Sequence, residues 1–141
     1  MAEAKKMRIM VGYSAHFTSD EVLRVAKDHA RAFDATLYLV SSVVGHTLDE
    51  SGHHKENDAA ERIEALEASL KEEGLDYEFH LVTRGASAGE DLVKFAEAHQ
   101  IDEIVMGFKK RSAIGEMVFG SNYRFVIAFA PCPVVTVHNW S

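Results

Sequence analysis

Cysteine is almost missing from this chain. The one present, Cys132, stands between the only two prolines, Pro131 and Pro133, so no intrachain disulfide and no cysteine-based zinc site can form within its 141 residues. The Pro131-Cys132-Pro133 stretch reads as a tight turn with no basic neighbour to activate a thiolate, which argues against redox chemistry. No apolar run approaches the ~18 residues of a membrane-spanning helix. The amino-terminal MAEAKKMRIMVGYS starts basic, but its apolar run is too short for a secretory leader and it lacks a small-residue cleavage pattern. A cytoplasmic location and no membrane partner are expected. Positive charge is in deficit: the net charge is −7, which excludes a general nucleic-acid binder. There is no HExxH, no Gly-x-Ser-x-Gly elbow and no Walker lysine-serine pair, so no catalytic residue is assigned and no classical hydrolase is expected.

What is present is an ordinary globular composition, 47% hydrophobic and 26% charged. The length suits a single domain over 1–141. Met7 to Tyr13 is a nearly continuous apolar run, as expected of a strand buried on both faces. Thr18 and Glu21 have the spacing of a capping box, and Val22, Val25, Ala26, His29, Ala30 and Phe33 then share one helical face. Thr36 to Val44 is a second strand, rich in β-branched and aromatic residues. Residues 45–57 are polar and read as an irregular connection. A helix is expected from Asp58 to Glu73, with Ile63, Leu66 and Leu70 inward and Gly74 as its stop. Asp76 to Thr83 alternates Tyr77, Phe79 and Leu81 with polar residues, the pattern of a strand with one wetter face. Ser87 and Glu90 cap a third helix with Leu92, Phe95 and Ala96 inward. A fourth strand follows over Asp102–Met106, a fourth helix over Ser121–Ala130, and a fifth strand over Pro133–His138. Strict alternation of this kind predicts an α/β fold, an open five-stranded parallel sheet with helices on both faces. Ligands in such sheets bind beyond the carboxyl ends of the strands, where strand order reverses.

The stretch Ile104 to Ser121 carries the chemistry. An apolar strand end is followed by Gly107, a cationic loop with Lys109, Lys110 and Arg111, then Gly115 and Gly120-Ser121 before an apolar run. Glycines let a backbone turn and approach an anion, and the free N–H groups of a helix start favour negative charge. An ordinary crossover loop with a solvated basic tip is the alternative reading of these residues. His46, His53 and His54 share one polar segment, but adjacent histidines rarely converge on one ion and no metal-binding spacing is present, so no metal site is assigned. His29, His80 and His99 read as half-buried or surface residues with satisfied nitrogens.

Taken together, the block MGFKKRSAIGEMVFGS and the following APCPVVTV resemble the universal stress proteins of the UspA type, and the resemblance runs over essentially the whole chain. It implies a Rossmann-like fold related to the adenine nucleotide alpha hydrolases. ATP-binding members carry a glycine, two residues, a glycine, nine residues, then glycine and serine or threonine. Here Gly107 and the pair Gly120-Ser121 match that spacing, while Lys110 replaces the second glycine. Lys110 either supplies charge to a phosphate or fills the phosphate site. After the first strand the family's Asp-Gly-Ser is replaced by Ser14, Ala15 and His16. Ser14 can hydrogen-bond a ribose or base without charge; His16 is read as capping the turn, with stacking on a base as the alternative. The resemblance places Ser42, Met106 and Asn122 in the nucleotide pocket as well.

It therefore implies a stress-response module that binds ATP or a related adenine nucleotide, with or without Mg, and changes a surface offered to an unknown protein partner. At most slow ATP hydrolysis is expected. The alternative is a dimeric interaction protein of the same fold that binds no nucleotide and pairs through its last strand, Val134 to Val137, as members of the family commonly do. A third reading, a polyphosphate or dinucleotide ligand, follows from Lys109, Lys110 and Arg111.

Overall fold

The computed structural model describes residues 6–13, 20–43, 52–83, 87–110, 117–118 and 120–139; for 42–43, 52–59, 83, 108–110, 117–118, 120–123 and 139 it describes the backbone alone. In chain order the elements are β1 (Arg8–Gly12), α1 (Asp20–Phe33), β2 (Thr36–Val43), α2 (Gly52–Glu72), β3 (Tyr77–Thr83), α3 (Ala88–Ala98), β4 (Glu103–Lys110), β5 (Met117–Val118), α4 (Gly120–Phe129) and β6 (Val134–Asn139). Five of the strands are parallel and run in the order β3-β2-β1-β4-β6, as the alternation predicts. The sixth, β5, is two residues long and pairs antiparallel with β4.

The sheet is covered on both faces because successive strand residues point to opposite sides. On one face Ile9, Val11, Leu37, Leu39 and Val105 meet Val22, Ala26 and Ala30 of α1 and Leu66 and Leu70 of α2. On the other, Met10, Tyr38, Val40 and Ile104 meet Leu92, Val93, Phe95 and Ala96 of α3 and Val126 of α4. Ile9, Met10 and Val11 are all fully buried, which is why β1 reads as a continuous apolar run rather than an alternating one. Ser87 is the N-cap of α3 as its spacing predicts, accepting a hydrogen bond from the Glu90 amide at 3.2 Å. Gly74 follows α2 with φ of 72°, the left-handed conformation a helix stop favours.

The structure corrects the sequence reading at several places. Helix α2 begins at Gly52, within the stretch expected to be irregular. Those residues lack apolar periodicity, and periodicity reveals only helices that face a core. His53 and His54 thus lie on a helix, about 100° apart around its axis. Leu81, expected inward with Tyr77 and Phe79, is 65% exposed; β3 is an outer strand, and the α1/α2 core that takes Tyr77 and Phe79 does not reach Leu81. Phe33 likewise is 54% exposed at the end of α1. Thr18, His16 and His46 lie outside the described residues. The capping box expected of Thr18 and Glu21 falls outside them with Thr18; the Glu21 carboxylate accepts from the Arg24 guanidinium at 2.9 and 3.1 Å.

Candidate nucleotide site at the β1/β4 switch point

Strand order reverses between β1 and β4: the chain moves outward from β1 through β2 to β3, and outward from β4 to β6 on the other side. The carboxyl ends of β1 and β4 are therefore neighbours, as a ligand crevice in an open α/β sheet requires. The registers define the crevice further. β1 pairs with β4 only as far as Val11↔Val105. β6 occupies the opposite edge of β4 from Ile104 to Lys109. A strand has two edges, so β5, paired at Lys109↔Val118 and Lys110↔Met117, must take the edge that β1 has left. Between Val105 and Lys109 that edge of β4 has no strand beside it among the described residues. The result is a notch in the sheet bounded by Gly12 and Tyr13, by Met106 to Phe108, and by β5.

The predicted site residues fall around this notch to different degrees. Met106 is half-buried in β4, on the α3/α4 face. Gly107 is exposed and lies inside β4, paired with Val137, rather than at the strand's end as expected. The strand runs on through Lys110 because β5 and β6 supply partners that local sequence does not reveal. Three residues of the expected basic loop, Phe108, Lys109 and Lys110, are thus strand. Ser42 stands on β2, beyond Val40, the partner of β1's last residue, Gly12. Gly120, Ser121 and Asn122 open α4. The first-turn amides of a helix have no partners within it. β5 brings this helix start close, since Gly120 follows Val118 by two residues and Val118 pairs with Lys109. Ser14 and Arg111 lie outside the described residues, directly after Tyr13 and Lys110. Sequence reasoning missed β5, because two residues are too short for any periodicity; the apolar pair Met117-Val118 is its only local trace.

The surroundings are firmly tied. The Tyr13 amide donates to Val40 O at 2.8 Å, holding the end of β1 to β2. The Tyr13 ring meets Phe79 edge-on at 5.8 Å, and burial raises its phenol above the usual range. Helix α1 contacts β4 at two levels. His29 Nδ1 lies 2.7 Å from Oε1 of the buried Glu103, and Val22 packs at Gly107. Away from the notch, Cys132 is half-buried, and burial together with nearby Asp102 and Glu103 pushes its thiol up to about 11, which leaves little thiolate at neutral pH. His80 Nε2 lies 2.9 Å from Glu78, and His99 Nδ1 lies 3.1 Å from Phe95 O. No helix among the described residues is long and apolar enough to cross a membrane.

The chain is similar to known proteins over nearly its full length. A universal stress protein from Thermus aquaticus, encoded in the QAH/OAS sulfhydrylase 3' region, is 30% identical over 135 residues, covering 92% of this chain and 96% of that protein. A solved universal stress protein from Archaeoglobus fulgidus superposes with a TM-score of 0.74 at 32% identity, covering 94% of this chain and 98% of that one. An Archaeoglobus fulgidus universal stress protein solved in complex with dAMP superposes with a TM-score of 0.68, also at 32% identity, covering 92% and 96% of the two chains. The model of the universal stress protein family matches residues 6–138, nearly the full length, and the chain belongs to that family.

Proposed function

We propose that residues 1–141 form one cytoplasmic universal stress protein domain that binds an adenine nucleotide, ATP first among them, with or without Mg, at the β1/β4 notch. The observation that carries this reading is the edge of β4 between Val105 and Lys109 that no described strand covers, with the α4 start led to it by β5. The dAMP complex of a relative at 32% identity adds to it. In this arrangement Gly107, Lys110, Gly120 and Ser121 hold the phosphates, helped by the positive end of the α4 dipole. Ser14, Ser42 and Met106 line the nucleoside side, and Asn122 closes the first turn of α4. The bound nucleotide acts by state-dependent binding: it favours one arrangement of the 108–120 segment and so alters a surface offered to a protein partner in the stress response. Hydrolysis is slow at most.

The test is calorimetric titration of nucleotide-free protein with Mg-ATP and with dAMP, repeated on Lys110→Gly. Micromolar affinity of the native chain means that Lys110 substitutes for the family's glycine. Affinity only in Lys110→Gly means that the lysine closes an otherwise intact cradle. Gly120 replaced by a bulky residue should abolish binding, and silence of native and Lys110→Gly alike sinks the reading.

A second reading rests on a separate observation. β6 is an outer strand whose Val134, Val135 and Val137 leave one edge free of any described strand, and α4, which precedes it in the chain, exposes 47% of Ile127 and 61% of Phe129. Pairing of this edge with a second copy would remove it from solvent. A homodimer in light scattering that Val135→Lys dissociates supports this reading; a monomeric native protein overturns it.

A further inference from the structure

Glycine occurs in strands for three reasons: a φ that other residues resist, close approach of another backbone or helix, or close approach of a ligand. At Gly107 the first is excluded, since its φ lies outside the left-handed region and both it and its partner Val137 are in regular parallel pairing. The remaining two are distinguished by the direction in which a side chain would leave the backbone. A Cβ built on Gly107 falls 2.5 Å from Val22 Cγ2 and 3.9 Å from Val22 Cβ, and 3.5 Å from Val137 O. The first distance is far inside van der Waals contact. Val22 is 2% exposed, in the opening turns of α1, and its helix is tied to the same strand again through His29 and Glu103. Val22 therefore has little room to retreat.

We propose that Gly107 is glycine to seat helix α1, and that Val22 is the positioning residue that fixes this helix against the strand of the nucleotide site. The proposal rests on the nucleotide reading only for its consequence at the site. The backbone of Gly107 borders the notch, while the place of its absent side chain is filled by α1. A methyl group at 107 would force α1 and the Gly107 backbone apart, and that backbone borders the notch. The signature glycine would thus act on the ligand through helix packing rather than by making room for a phosphate.

The experiment is a two-residue cycle in the full chain: native, Gly107→Ala, Val22→Ala and the double variant, each read by thermal midpoint and by titration with dAMP and Mg-ATP. Overpacking at 107 should lower the midpoint of Gly107→Ala by roughly 3–10 °C. Val22→Ala alone should lower it through the cavity it leaves. In the Val22→Ala background the added methyl at 107 should cost almost nothing, and the nucleotide affinity lost in Gly107→Ala should return. An equal midpoint loss for Gly107→Ala in both backgrounds overturns the proposal. So does a double variant that regains its stability but stays more than about tenfold weaker for nucleotide, which would give the absent side chain to the ligand. If the native chain binds neither nucleotide, the nucleotide reading fails by itself, and the midpoints alone decide whether Val22 and Gly107 are coupled.

Discussion

The two faces of the sheet are held together by different chemistry. On the α1/α2 face the helices leave a groove of about 710 Å³ between them, with Tyr13, Leu23, Ala65 and Leu66 among its lining residues. They are joined across it by charge. Lys27 Nζ donates to Glu73 Oε2 at 2.8 Å and to Ser69 Oγ at 3.1 Å, Ser69 Oγ donates to the same carboxylate at 2.7 Å, and Arg31 also bonds Glu73. On the α3/α4 face the two helices pack directly, and the stabilising groups are rings. Phe95 stacks on His99 at 3.8 Å and meets His80 at 4.9 Å; His80 stacks on Tyr38, and the Arg8 guanidinium lies 5.7 Å from the Tyr38 centroid. The contacts that join the helices are thus charged on one face and apolar on the other.

The largest expected effect is on the apolar face. Phe95, 8% exposed, is central to that cluster, and Phe95→Ala should cost about 3–5 kcal/mol in urea unfolding, with little dependence on salt. A smaller cost than that of Glu73→Gln would break the comparison.

Next comes Glu73, whose carboxyl is lowered from the usual range to about 2, first by the hydrogen bond from Lys27, then by that from Ser69, with Arg31 adding charge. A depressed folded pKa means that the stabilisation is fully present above the unfolded value near 4.5 and is lost as pH falls towards 2. The Glu73 side chain is 30% exposed and its partners are partly solvated, so screening leaves about 1 kcal/mol at neutral pH. Unfolding midpoints of native protein and Glu73→Gln should therefore differ at pH 7, converge between pH 4.5 and 2, and draw together in 1 M salt. A difference that persists at pH 2 would show that packing, not charge, joins α1 to α2.

The smallest perturbation sharpens the apolar side. With its thiol near 11, Cys132 should react with iodoacetamide at pH 8 about two orders of magnitude more slowly than a free cysteine, and at the free rate once urea unfolds the chain. Rapid alkylation of the folded protein would mean that this face opens readily.

Much of the fold is legible because its causes are local. Ile9 to Val11 announce a strand buried on both sides, Ser87 and Glu90 a helix start, and Gly74 a helix stop. The first turns of α2 are not legible, since their sequence is polar and carries no apolar period. The candidate site is legible in outline: glycine, basic residues and Gly-Ser at their spacing mark the region between β4 and α4. The length of β4 is not, because Phe108 to Lys110 are strand only by virtue of β5 and β6.

By itself the sequence determined the alternating order of strands and helices and the open parallel sheet, since these follow from periodicity and caps along the chain, and its glycine-bearing block carries the resemblance to the family. Only the tertiary structure decided that Gly107 sits within a strand under Val22, that β5 takes the edge β1 leaves, and that Leu81 remains in solvent. Each depends on which distant segment arrives beside the residue, and strand pairing and helix seating settle that through contacts that no local pattern records.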